Sequence, residues 1–99
     1  MSLNTSRRDE RWVCRRRADF ALRNWPDGSV LFDEANGQLQ RLTPAAGGMM
    51  ALFLDTPEWT SCTLAQRIFG EIPAAEDIEL VANALASFQS LSLIERLPD

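Results

Sequence analysis

Ninety-nine residues with 45% hydrophobic and 24% charged side chains give one domain with a single modest core, and no apolar run approaches the roughly 18 residues of a membrane span. Histidine is absent and the two cysteines, Cys14 and Cys62, stand far apart. That removes the usual zinc patterns, the Ser-His and Cys-His nucleophile pairs and the common proton shuttle near neutral pH, so no catalytic residue, metal ligand or cofactor is assigned.

Charge is uneven along the chain. All ten basic residues are arginine, and six of them (Arg7, Arg8, Arg11, Arg15, Arg16 and Arg17) precede residue 18. Against Asp9 and Glu10 that segment carries +4, whereas four arginines and twelve acids give the remainder −8. The arginines read either as solvated positions around a strand or as a patch for an acidic peptide or nucleic acid. Residues 1–10 read as a flexible polar N-terminus without the apolar stretch of a signal peptide, and the expected location is cytoplasmic. Each cysteine reads as a buried structural thiol, since a cytosolic chain rarely keeps a disulfide.

Residues 11–99 read as a single domain. Trp12–Arg15 is a short candidate strand. Phe20–Trp25 is a second, with Phe20, Leu22 and Asn24 on one face by period two. Pro26-Asp27-Gly28 supplies a turn. Val30–Asp33 and Gln38–Leu42 flank Ala35-Asn36-Gly37, where Asn-Gly signals a tight antiparallel hairpin. Gln38–Leu42 is polar for a central strand, which suits a sheet edge.

Thr43-Pro44 opens a helix, with Thr as N-cap and Pro at the first helical position. It runs to Leu54 and ends before Pro57. Gly47 and Gly48 in its middle read either as tolerated or as the place where another element approaches closely. Trp59 falls in a connection. Thr60 and Ser61 are two candidate N-caps for a helix over Cys62–Phe69, whose apolar stripe is Leu64, Ala65, Ile68 and Phe69 and which Gly70 stops. A third helix spans Ala75–Leu91, with Glu76, Asp77 and Glu79 at its positive end and Ile78, Val81, Ala82, Leu85, Phe88 and Leu91 at helical spacing. Leu93–Leu97 is a final strand or wing. Strands, three helices and a strand-like tail make an α+β chain with the order of a winged helix-turn-helix.

The motifs Trp12, Phe20-x-Leu22-x-x-Trp25, Val30-Leu31-Phe32-Asp33-x-x-x-Gly37, Leu42, Pro44-Ala45-Ala46, Leu64-Ala65, Leu85 and Leu91-x-Leu93-Ile94-Glu95 occur in that order over residues 12–96. In order and spacing the chain resembles the PqqD-type peptide chaperones, or RiPP recognition elements. It is most similar to the subgroup that accompanies HPr-kinase-related proteins. That subgroup's Thr-His-Leu pattern reads Gln40-Arg41-Leu42 here. The resemblance implies a small sheet with a three-helix winged bundle and a non-enzymatic role of the kind used in coenzyme PQQ biosynthesis. Such a module holds the leader of a ribosomally made precursor peptide by strand addition and presents it to a modifying enzyme, here an HPr-kinase-related protein. Carried onto this chain, the receiving edge is Gln38, Leu39, Gln40, Arg41 and Leu42. The groove wall is the third helix at Ile78, Val81, Leu85 and Phe88, residues that helical spacing alone would assign to the core.

A DNA-binding winged helix-turn-helix regulator is the alternative. The second helix offers it only Gln66 and Arg67, and phosphate would be repelled by the acids that open the third, so nucleic acid is disfavoured. An enzyme is disfavoured by the missing catalytic groups. An open sheet edge and a long helix also invite homodimers.

Overall fold

The computed structural model describes residues 9–98, so the flexible start expected over residues 1–10 falls largely outside the described residues. The fold is α+β, with strands β1 (Arg11–Val13), β2 (Phe20–Trp25), β3 (Gly28–Asp33) and β4 (Gln38–Leu42), then helix α1 (Pro44–Asp55). Strand β5 (Glu58–Thr60), helices α2 (Ser61–Phe69) and α3 (Ala75–Ser90) and strand β6 (Glu95–Arg96) follow. Contacts divide the chain into two compact units, one built from residues up to Arg15 together with Glu58 onward, the other from Arg16–Pro57.

The Arg16–Pro57 unit is an antiparallel meander in the order β2-β3-β4, with α1 packed on it. Side chains alternate between the two faces of a strand. Ser29, Leu31 and Asp33 of β3 are therefore buried, while Phe32 between them is exposed. α1 contributes Met49, Met50 and Phe53 to the core. Its start follows from sequence: the Thr43 hydroxyl accepts from the Ala46 N–H at 3.2 Å, and Pro44 occupies the first turn. The two glycines of α1 differ in purpose. A Cβ on Gly47 would collide with the Ser29 side chain, 2.7 Å from its Cβ, whereas one on Gly48 would meet nothing within 4 Å. Gly47 thus sets how closely α1 approaches β3.

The other unit has a second antiparallel sheet, in the order β5-β1-β6, which the sequence reading missed. Trp59, expected in a connection, lies in β5 opposite Trp12, and β6 is confined to Glu95–Arg96. Trp12 is buried and its indole Nε1 donates to the buried Ser61 hydroxyl at 3.2 Å. That bond satisfies both polar groups in the core. Thr60, rather than Ser61, caps α2: its hydroxyl accepts from the Thr63 N–H and its own N–H donates to the Thr63 hydroxyl, each at 2.9 Å. Leu64 and Ala65 are buried, but Ile68 and Phe69, expected on the same apolar stripe, are 40% and 45% exposed. They fall in the last turn, at the edge of the face that α2 turns to α3. Cys14 and Cys62 are both buried thiols. Among the described residues no helix is long and apolar enough to cross a membrane.

The glycine pair gives a direct test of this packing. Gly48→Ala is expected to stabilise the protein by roughly 0.5–1 kcal/mol, the helix-propensity gain at an unobstructed position. Gly47→Ala is expected to destabilise it by about 1–3 kcal/mol, as overpacked sites do. Denaturant midpoints of the two variants, compared with the parent, read both signs.

Candidate functional site

β4 is an edge strand: among the described residues it pairs with β3 alone. The turn that delivers it is longer than a two-residue Asn-Gly hairpin. Asp33 stands opposite Gln38, so Glu34–Gly37 form a four-residue loop. Gly37 has φ of +74°, and its N–H donates to the Asp33 carbonyl at 2.7 Å. The Asp33 carboxylate accepts from the Ala35 N–H at 3.0 Å, and the Asn36 side chain accepts from the Gln38 N–H at 2.9 Å. Asp and Asn therefore act through side-chain turns, which set the loop length as much as the dipeptide does.

Asp33 is the anchor of this loop. It is 5% exposed, and both its oxygens lie 2.7 Å from the same Arg16 nitrogen, Nη2. Arg16 also bonds Asp19 at 3.3 Å through Nε and lies over the Phe20 ring, 5.1 Å from its centroid. Burial pushes the Asp33 carboxyl up. The Arg16 hydrogen bond, the backbone N–H groups of Ala35 and Asn36 and the Arg16 charge outweigh it, and the group is held below the ordinary aspartate range. The Asp33 bond in turn raises Arg16 above its ordinary value.

Register and loop length decide which backbone groups of β4 face outward. β2 and β3 are joined by a two-residue loop, with Trp25 opposite Gly28. Such a loop closes on a hydrogen-bonded pair, and bonded and non-bonded pairs then alternate. Gly28, Val30 and Phe32 consequently direct their N–H and C=O groups toward β2, and Ser29, Leu31 and Asp33 direct theirs toward β4. Their partners Leu42, Gln40 and Gln38 face inward. The N–H and C=O groups of Leu39 and Arg41 point to the outer edge. Side chains follow a separate alternation: Leu39 is 63% exposed and Arg41 is exposed, while Gln40 and Leu42 are half-buried.

The third-helix residues expected to line a groove are core residues. Ile78, Val81, Leu85 and Phe88 are at most 8% exposed, and their apolar spacing is used for packing. The exposed side of α3 carries Glu79, Leu80, Asn83 and Ser87 instead. The residues that sequence reasoning overlooked are on the sheet, where Trp25 is 52% and Phe32 37% exposed. Period-two alternation around Leu31 was the signal that could have found Phe32.

Three of the early arginines lie beside carboxylates of their own unit. Arg11 is 3.8 Å from Glu58, Arg15 3.3 Å from Glu95 and Arg16 2.7 Å from Asp33. Arg23 and Arg41 form no ion pair with a described residue. Compared with family models, with characterised proteins and with solved structures, the chain gives no match.

The Asp33 pairing carries a pH signature. A carboxyl held below its unfolded value of about 3.9 contributes stability above that pH and loses it as pH falls through the folded value. Arg16→Gln is therefore expected to be destabilised near neutral pH, with the gap to the parent closing below about pH 4 as the carboxyl is protonated in both. Urea midpoints from about pH 3 to about pH 7 measure the closure, and a gap of constant size would exclude the pairing as its source.

Proposed function

We propose that the chain is a non-catalytic, cytoplasmic peptide-binding module that receives an extended peptide as an added strand on β4. The peptide class is the leader of a ribosomally made precursor, held for a modifying enzyme. One observation carries the reading: β4 ends its sheet with the amide and carbonyl groups of Leu39 and Arg41 turned outward, and it lacks the usual protection of edges. Proline is absent from it, no bulge interrupts its register, and Arg41 is its single charge. The ordered motifs shared with the PqqD-type chaperones support the same role. The half-buried Gln40 and Leu42 give an incoming strand neighbours on the inner face, and Leu39 and Arg41 give it neighbours on the outer face.

Affinity from main-chain bonds is largely independent of sequence, and side-chain positions add selectivity. Arg41 fits an acid on the peptide. An exposed pair of that kind contributes only about 0.2–1 kcal/mol and sets register more than affinity.

The donors to remove are at Leu39 and Arg41, not at Gln40, whose N–H belongs to the β3–β4 ladder. Leu39→Pro deletes one outward donor on an edge strand, where proline is tolerated; Leu39→Ala keeps the donor and removes the side chain. The expected result is that Leu39→Pro weakens binding of an extended leader peptide from the same gene cluster roughly fivefold or more, the loss of about one hydrogen bond. Leu39→Ala should weaken it less. NMR titration of the full chain reads both. Shifts confined to α2 and sparing Gln38–Leu42 would show that strand addition is not the mechanism.

A further inference from the structure

We propose that the face of the β2–β3–β4 sheet opposite α1 is a second docking surface, and that its occupant is an acidic amphipathic helix of a partner protein. The proposal does not rest on strand addition, which depends on the outward backbone groups of β4, although Leu39 and Arg41 lend side chains to both.

The face follows from register. Ala21, Phe32 and Leu39 stand in one cross-strand row, Arg23, Val30 and Arg41 in the next, and Trp25 beyond them opposite Gly28, which has no side chain. Trp25, Phe32 and Leu39 are 52%, 37% and 63% exposed. Three large apolar side chains on one small sheet form a contiguous patch rather than scattered surface residues. Two shallow depressions flank it. One, of about 350 Å³, is walled by Ala21, Phe32 and Leu39. The other, of about 310 Å³, is walled by Asp27, Gly28, Ser29, Arg41 and Leu42. Trp25 and Val30 belong to both.

Charge identifies the occupant. Arg23 and Arg41 lie on the two outer strands with Val30 between them, and neither has an ion-pair partner among the described residues. Two strand spacings separate them by roughly 10 Å. An α-helix with its side chains is about 10–12 Å across, so a helix laid along β3 reaches both guanidinium groups at once. A single extended strand, about 4.8 Å from its neighbours, reaches only one. The matching ligand is a helix whose narrow apolar stripe seats on Trp25, Val30 and Phe32 and whose carboxylates flank the stripe on both sides. Glu34 lines the end of the face near Phe32 and Leu39, and Asp27 the end near Trp25, so the carboxylates of the ligand belong at the arginine row between them and its apolar turns at the Phe32 and Trp25 rows.

The test uses the full chain, ¹⁵N-labelled, and two synthetic helical peptides of about five turns, roughly 18 residues. Both carry a leucine stripe; one flanks it with glutamate and the other with lysine. The glutamate peptide is expected to shift Ala21, Arg23, Val30, Phe32 and Leu39 and the Trp25 indole. It should bind at least about tenfold tighter than the lysine peptide. Arg23→Glu/Arg41→Glu should reverse that preference, and Arg23→Gln/Arg41→Gln should abolish it; unchanged thermal melting shows that each variant is folded. Equal affinity for the two peptides, or shifts elsewhere on the chain, would overturn the proposal. So would a monomer–dimer equilibrium, measured by sedimentation, that buries the Trp25 indole, because the occupant would then be a second copy. Leu39→Pro separates the two readings by ratio: it removes an outward N–H and one apolar side chain of the face, so both helices should bind more weakly, while Arg23 and Arg41 keep the preference for glutamate over lysine and extended-peptide binding is impaired.

Discussion

A sheet has two faces, and the Arg16–Pro57 unit has one helix to cover them. α1 is drawn against β3 where Gly47 meets Ser29, and that approach commits Leu31, Ser29 and Asp33 to the covered side. Every residue between them on β3 is then forced to the other side, because the pleat allows no other choice. The exposure of Phe32, Leu39 and Trp25 is thus a consequence of how α1 packs. A side chain at position 47 would loosen the covered face without closing the open one.

The same unit shows how a buried charge can define the edge of a sheet. Asp33 is costly to bury alone. Arg16 and the backbone amides of the following turn offset that cost, and in doing so they fix the loop from which β4 emerges. The outward direction of the Leu39 and Arg41 amides depends on this loop length. A loop one residue shorter would shift the register and turn the other set of side chains toward α1. Under the proposed strand addition, recognition along β4 would be controlled by residues that a bound peptide need not touch.

Local features of the fold were legible in the sequence, and nonlocal ones were not. Thr43-Pro44 announced α1, the apolar period announced α3, and Asn36-Gly37 announced a turn, because each acts within a few residues. The β5-β1-β6 sheet was illegible, because Trp59 reads as loop until it is paired with Trp12 far upstream. The strand ends at Asp33 and Gln38 were legible too, but not the Asp33 and Asn36 side-chain bonds that fix the loop between them. For the candidate edge, Gln38–Leu42 could be located from its polarity. Which of its amides point outward required the register of two successive hairpins. Ile78, Val81, Leu85 and Phe88 illustrate a different ambiguity: one spacing describes both a core stripe and a groove wall, and burial alone separates them. The arginine-rich start drew attention as a patch, yet Arg11, Arg15 and Arg16 lie beside acids of their own unit. Arg23 and Arg41, which form no ion pair with a described residue, sit apart in sequence, on β2 and β4.

The central strand of the second sheet, β1, precedes the Arg16–Pro57 unit in the chain, while both of its neighbours follow it. Val13 stands opposite Glu58, so the whole of the Arg16–Pro57 unit leaves and returns at adjacent points of one ladder. In polymer terms the excursion is a long closed loop, whose closure entropy grows only slowly with its length. The segment that closes it is three residues of β1, held by two flanking strands and by the buried indole of Trp12. The unit that contains α2 and α3 is thus a two-fragment body by construction. A backbone break inside the excursion leaves its pieces associated through β1, whereas a cut just after Val13 frees the middle strand and exposes two raw edges at once.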